Sequence, residues 1–425
     1  MKTKILTLVL IGVFIIQCHS TQQVQADLKN QIIDLFPGAT VEAIAFGEPY
    51  QGAYKVKLPQ FLNHNNPELG TFDQYIYLYH TDYAAPVHLE TGGYDAYLAE
   101  REISKNLGLN LIIVEYRFYG ESKPDNIPWE YLTNDQAVED YHRINQAFRK
   151  VYKTGKWLTS GISKGGETAM IYKSKYPEDA DVVVPFVAPI ILDTADVRPW
   201  ELVNRVGSSD CRQKVKNLQK RLLQNKKEVL NLMLETTRAD SLTFEIGHEV
   251  ALEYAILEYP FSFWQWNGDC SQIPDEKASL DSAFRYLNGV SGVSNFSDQS
   301  YESGLPSYYQ HMRELGYYVM DTTDLSEWLS QDRYSHRVFA PKGVDLTYND
   351  EYMAAVKNYV ENQGEQMIWI YGGLDPWAGC AVEPKGKSTM KFVKPDGTHR
   401  TRIKDLDSLQ QKQIYDSLRV WLVEN

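Results

Sequence analysis

Apolar and polar positions follow two rhythms along the chain. Short stretches at 75–79, 87–90, 111–115, 157–159 and 182–187 have the length and residue types of strands. Between them, residues 135–152 place Ala137, Tyr141, Ile144 and Phe148 at helical spacing, and another helix runs to Tyr176, where Pro177 halts it. Strands that alternate with helices predict a mostly parallel sheet covered on both faces. From about 199 to 340 the rhythm changes. Residues 215–234 read as one long helix and 242–259 as another that ends at Pro260, with little strand signal. After about 341 the alternation returns, with a helix at 350–361 closed by Gly364, a strand at 366–371 and a helix at 407–423. The expected architecture is α/β, with one catalytic-type sheet domain built from 27–198 and 341–425 and a helical cap inserted over 199–340.

The first 26 residues stand apart. Lys2 and Lys4 precede an apolar run from Ile5 to Ile16, too short to span a bilayer and suited to a signal peptide. Val24-Gln25-Ala26 puts small residues before Asp27, as a signal peptidase requires, whereas Cys18 offers lipoprotein anchoring as the other route. Either implies export to the periplasm or the outside, with no stable membrane span. Cys211, Cys270 and Cys380 then remain, and in an oxidising compartment Cys211 and Cys270 are the expected pair. No cysteine or histidine cluster has metal-ligand spacing, and no metal is expected.

Composition narrows the partners. Hydrophobic residues make up 43% and charged residues 23%, a globular balance, and the net charge of -13 disfavours nucleic acid. Oligomeric state has no signature in the sequence.

The chemistry concentrates at Gly161-Ile162-Ser163-Lys164-Gly165-Gly166, which fits G-x-S-x-G between a strand and a helix. In that setting the serine is forced onto a tight exposed turn, and side chains at 161 and 165 would clash where strand and helix meet. The helix N-terminus behind Ser163 favours negative charge, and the Lys164 backbone N–H is a candidate oxyanion donor. The charge of Lys164 itself is expected to be solvated or salt-bridged. A serine needs a base and the base an orienting carboxylate, in the chain order serine, acid, histidine. Asp375 follows the late strand at Gly372-Gly373-Leu374-Asp375-Pro376, and His399 is the one histidine after it. Asp193 and Asp396 are the weaker alternatives for the acid. His248, His311 and His336 read as surface or core residues.

Five stretches, in order, carry a resemblance. They are Glu115-Tyr116-Arg117-Phe118-Tyr119-Gly120-Glu121-Ser122, Leu132-Thr133-Asn134-Asp135-Gln136-Ala137, the Gly161–Gly166 turn, Val187-Ala188-Pro189 and Leu374-Asp375-Pro376-Trp377. Through them the chain resembles the PS-10-type secreted tripeptidyl aminopeptidases, a family similar to the lysosomal prolyl carboxypeptidase and dipeptidyl peptidase group. The resemblance is good over the sheet segments and poor over the insertion. It implies an α/β-hydrolase core with a helical cap, no cofactor, and release of short peptides from the free N-termini of oligopeptides. With the residues read above, the expected function is a serine exopeptidase acting through a Ser163-Asp375-His399 triad and an acyl-enzyme. A carboxylesterase or lipase with the same triad, and a non-catalytic binding protein, are the alternatives. An enzyme acting from the N-terminus must also hold an ammonium group. Glu245, Glu249 and Glu253, on one helix face, are candidates for that, with a solvated acidic stripe as the other reading. Trp264 and Trp266 are candidate walls for substrate side chains or core residues. For the second oxyanion donor, Gly92 and Gly93 after the 87–90 strand compete with the Tyr119 hydroxyl.

Overall fold

The computed structural model describes residues 27–423 apart from Tyr97, Thr154 and Asn267, so the leader and Cys18 lie outside the described residues. Nine strands form one sheet: β1 (Thr40–Ala43), β2 (Gly52–Phe61), β3 (Thr71–His80), β4 (Val87–Thr91), β5 (Asn110–Val114), β6 (Trp157–Ile162), β7 (Val182–Phe186), β8 (Met367–Gly372) and β9 (Thr389–Lys394). Their spatial order is β1-β2-β3-β5-β4-β6-β7-β8-β9, antiparallel over the first four and parallel from β5 to β9. This crossed order at β5-β4 is that of an α/β-hydrolase, with one additional strand at the leading edge. Strands β4, β5, β7 and β8 are buried at every position; β5, β7 and β8 therefore read as apolar runs, whereas β4 buries His88, Glu90 and Thr91 against Ser104, Arg101 and the Ser160 carbonyl. Strand β2 alternates buried and half-buried residues and carries Lys55, Lys57 and Gln60, so its apolar run is interrupted; β1, β2 and β9 are absent from the sequence reading.

Helix α1 (Asn134–Phe148) starts where Thr133 caps it by accepting from Gln136 N–H, and it buries Ala137, Tyr141, Ile144 and Phe148 as the spacing predicts. It stops short of 152 because Val151 and Tyr152 both turn back onto the Phe148 carbonyl. Helix α2 (Lys164–Lys175) follows β6 directly.

The middle of the chain is helical, and no strand occurs there among the described residues. The long helix expected at 215–234 is two, α3 (Ser209–Gln224) and α4 (Lys226–Ala239). Asn225 separates them, and its side chain returns to the Arg221 carbonyl at 2.8 Å, satisfying an end that the helix leaves open. Cys211 on α3 is disulfide-bonded to Cys270, while Cys380 is buried and free. The next helix, α5 (His248–Trp266), does not end at Pro260 but runs through it. Proline has no N–H to give the Ile256 carbonyl one turn earlier. The Gln219 side chain on α3 supplies that donor at 2.8 Å. Replacing Gln219 by leucine leaves the carbonyl unpaired, and urea unfolding should show a loss of about 1–3 kcal/mol.

These helices pack around a cluster of their own that includes Trp200, Leu222, Phe261, Trp264 and Phe339, and it reaches the sheet through Trp377 and Cys380. No helix among the described residues is long and apolar enough to cross a membrane.

Candidate active site

Strand β6 delivers Ser163 onto a turn with φ 55° and ψ -124°, a backbone state that L-residues rarely adopt. The neighbours hold it there. Ser163 N–H donates to the Phe186 carbonyl at 2.8 Å, and the Ser163 carbonyl accepts from Glu167 N–H at 3.0 Å. A Cβ on Gly161 would meet the Gly165 carbonyl oxygen at 2.1 Å, so this crossing tolerates no side chain.

Strand β8 ends in two glycines that pass close to the loop carrying His399. A Cβ on Gly372 would lie 2.3 Å from the Thr398 oxygen. Asp375, fully buried, then points Oδ2 at His399 Nδ1 across 2.7 Å, and its Oδ1 accepts from Trp377 N–H at 3.3 Å. His399 is fixed from three further sides. Its N–H donates to the Gln265 carbonyl at 2.9 Å, its own carbonyl accepts from Arg402, and its ring meets the Trp266 edge at 5.3 Å. Ser163, Gly92, Gly93, Trp266 and His399 line one cavity of about 440 Å³. The other two acids considered from sequence are elsewhere: Asp193 is exposed on its own turn, and Asp396 is exposed and paired with Lys394.

The Gly92-Gly93 turn packs onto the serine turn so closely that a Cβ on Gly93 would stand 2.5 Å from Gly165 N. Lys164 ties the two together. Its side chain is not solvated: it is buried, donates to the Gly93 carbonyl at 2.6 Å and lies 3.6 Å over the Tyr116 ring. Burial lowers its pKa to about 7, and burial raises that of Glu167 behind it to about 8. The carboxylates that act on it, Glu167 and Glu314, and the rings of Tyr94, Tyr116 and Tyr119 around it lie outside the pentapeptide, so the motif alone marks the lysine as ordinary. The Gly92 carbonyl is likewise held, by the Tyr141 hydroxyl at 3.2 Å. Both carbonyls of the turn are thus engaged, and it packs beside the first turn of α2, where N–H groups lack intrahelical acceptors. Tyr119 is buried with its hydroxyl 3.4 Å from Gln310 Oε1, and it does not line the cavity that holds Ser163.

The acidic stripe is not at this cavity. Glu245 precedes α5 and pairs with Lys342; Glu249 and the buried Glu253 share Lys226 at 2.6 and 2.5 Å, and Glu253 also accepts from Ser330 and Tyr334. Trp264 is core, whereas Trp266 is exposed at the cavity wall. A second cavity, of about 750 Å³, adjoins the first and shares Tyr94, Asp95, Gln265 and Trp266 with it. Its wall carries Glu258, which the sequence reading passed over because it sits off the stripe in an otherwise apolar stretch of α5. Among the described residues no group of three or more His, Cys, Asp and Glu is arranged to hold a metal.

Comparison with known proteins places the chain in a family. The family model for PS-10 peptidase S37 matches residues 22–399. The prolyl tri/tetrapeptidyl aminopeptidase of Streptomyces mobaraensis is 31% identical over 415 residues, covering 93% of this chain and 85% of that protein. The lysosomal Pro-X carboxypeptidase of Bos taurus is 22% identical over 378 residues, covering 74% and 73%. Among solved structures, the proline iminopeptidase of Mycobacterium smegmatis aligns with a TM-score of 0.42 and 11% identity, over 90% of this chain and 99% of that one.

Proposed function

The chain belongs to the PS-10 peptidase S37 family and is a serine peptidase of α/β-hydrolase type, and from that premise we propose that it is an exported aminopeptidase that releases short peptides from free N-termini. The observation that carries the reading is the buried Asp375–His399 pair facing the cavity into which the strained Ser163 turn opens.

In the proposed mechanism Ser163 Oγ attacks the scissile carbonyl carbon while His399 Nε2 takes its proton, and Asp375 steadies the imidazolium. The carbonyl oxygen becomes an oxyanion between the Lys164 N–H and the Gly92-Gly93 turn. Collapse breaks the C–N bond, His399 returns the proton to the leaving amine, and an acyl-enzyme ester remains. Water, deprotonated by His399, attacks that ester and frees Ser163. The helices over the sheet act as a cap that limits entry to chain ends. A preference for proline before the scissile bond is supported by the names of the two curated relatives, and export by the leader pattern of residues 1–26.

Incubating the protein with oligopeptides, each with a free or an acetylated N-terminus, and reading the products by mass spectrometry tests this. Short N-terminal fragments from the free peptides alone are expected. Internal cleavage irrespective of acetylation, or hydrolysis of simple esters only, would contradict it.

A further inference from the structure

The larger cavity beside the candidate site has one chemically distinctive wall. Glu258 accepts from the Ser262 hydroxyl at 2.9 Å and from the Tyr318 hydroxyl at 2.6 Å, yet part of it still faces the cavity. Burial raises its pKa to about 7, the two hydroxyls pull it back down, and no cation acts on it. It therefore differs from Glu245, Glu249 and Glu253, each of which already has a lysine. Lys123 is exposed on the same cavity wall and is not among the groups acting on Glu258, while burial lowers the His336 pKa to about 3 and raises those of Tyr308 and Tyr317. A carboxylate set among neutral aromatic groups, with its other lone pairs held, is a receptor for a small cation.

Its distance from the chemistry is set by the helix it sits on. Glu258 and Gln265 are both on α5, and Gln265 contacts His399 directly. Seven residues of helix rise about 10 Å. An extended peptide advances about 3.3–3.6 Å per residue, so about three residues fill that span. Asp95, the other carboxylate on this wall, is exposed and lies where the two cavities join, next to the reacting end.

We propose that Glu258 binds the ammonium group of the substrate N-terminus and thereby selects peptides with about three residues ahead of the scissile bond. This deepens the aminopeptidase reading and rests on it.

The test compares the wild type with Glu258→Gln, an isosteric change that removes a buried charge and so preserves the fold. The probes are Ala-Ala-Pro-para-nitroanilide, its N-acetyl form, and para-nitrophenyl acetate as a report on Ser163. The variant should lose about 30- to 100-fold in kcat/KM on the free-amine peptide, mainly through KM, and much less on the acetylated peptide and the ester. Its preference among di-, tri- and tetrapeptidyl anilides should flatten. An equal loss on all three probes, or an intact preference for the free amine, overturns the proposal. Binding of the free-amine and acetylated peptides to Ser163→Ala, with and without Glu258→Gln, needs no turnover. If the wild type cleaves no peptide but binding depends on Glu258 and on the free amine, the anchor stands and the aminopeptidase reading falls. If binding depends on neither, the anchor is overturned whatever the activity.

Discussion

Replacing Ser163 by alanine is expected to lower kcat/KM for peptide hydrolysis about 10⁵- to 10⁶-fold, with the fold intact. The size follows from the proposed role: without Oγ no acyl-enzyme forms, and only the oxyanion donors and substrate binding remain to assist water. The fold survives because what holds this turn is backbone. The Ser163 N–H bond to Phe186 and the carbonyl bond from Glu167 do not involve the hydroxyl. Alanine also adopts the turn about as well as serine, since both carry a Cβ. Steady-state kinetics together with thermal unfolding checks both halves. A variant that keeps more than a few per cent of activity would remove Ser163 from the mechanism.

Replacing Asp375 by asparagine should reduce kcat about 10⁴-fold. The carboxylate accepts a hydrogen bond from His399 Nδ1–H across 2.7 Å and so leaves Nε2 free to act as base. An amide at the same place can present its NH₂ to Nδ1 and stabilise the opposite tautomer, in which Nε2 already bears a proton. The carboxylate is fully buried, so solvent cannot replace it. KM should change little, because Asp375 lies behind the histidine. The comparison variants are Asp193→Asn and Asp396→Asn, whose side chains are exposed and away from His399. Both should retain activity, and kinetics of the three side by side decide which acid serves the base.

The sheet was legible where burial was complete. Strands β5, β7 and β8 have no solvent-facing side, so their sequences are nearly continuous apolar runs. The outer strands were not: β2, one in from the edge, interleaves half-buried Lys55 and Lys57 with its buried positions. Local signals failed wherever a distant residue supplied the missing partner. Pro260 reads as a helix end until Gln219, on another helix, gives its bond to Ile256. The Cys211–Cys270 pairing was within reach because few cysteines remain once the leader is set aside.

The site divides in the same way. Ser163, Asp375 and His399 could be located because each is held by a local backbone constraint: glycines at a crossing, a glycine pair after a strand, a loop before the last helix. Lys164 and Glu258 could not, since what distinguishes them is tertiary. One is sealed among tyrosine rings from Tyr94, Tyr116 and Tyr119, and the other opens onto a cavity formed by segments far apart in sequence. A glutamate on the same helix, Glu253, looked equivalent and is instead buried against Lys226.

The most direct measurement is to treat the protein with a fluorophosphonate and map the adduct by peptide mass spectrometry. The account requires a single stoichiometric adduct on the hydroxyl of Ser163, formed much more slowly in His399→Ala and absent in Ser163→Ala. Modification of a different residue, or full peptidase activity persisting in an unmodified protein, would contradict it.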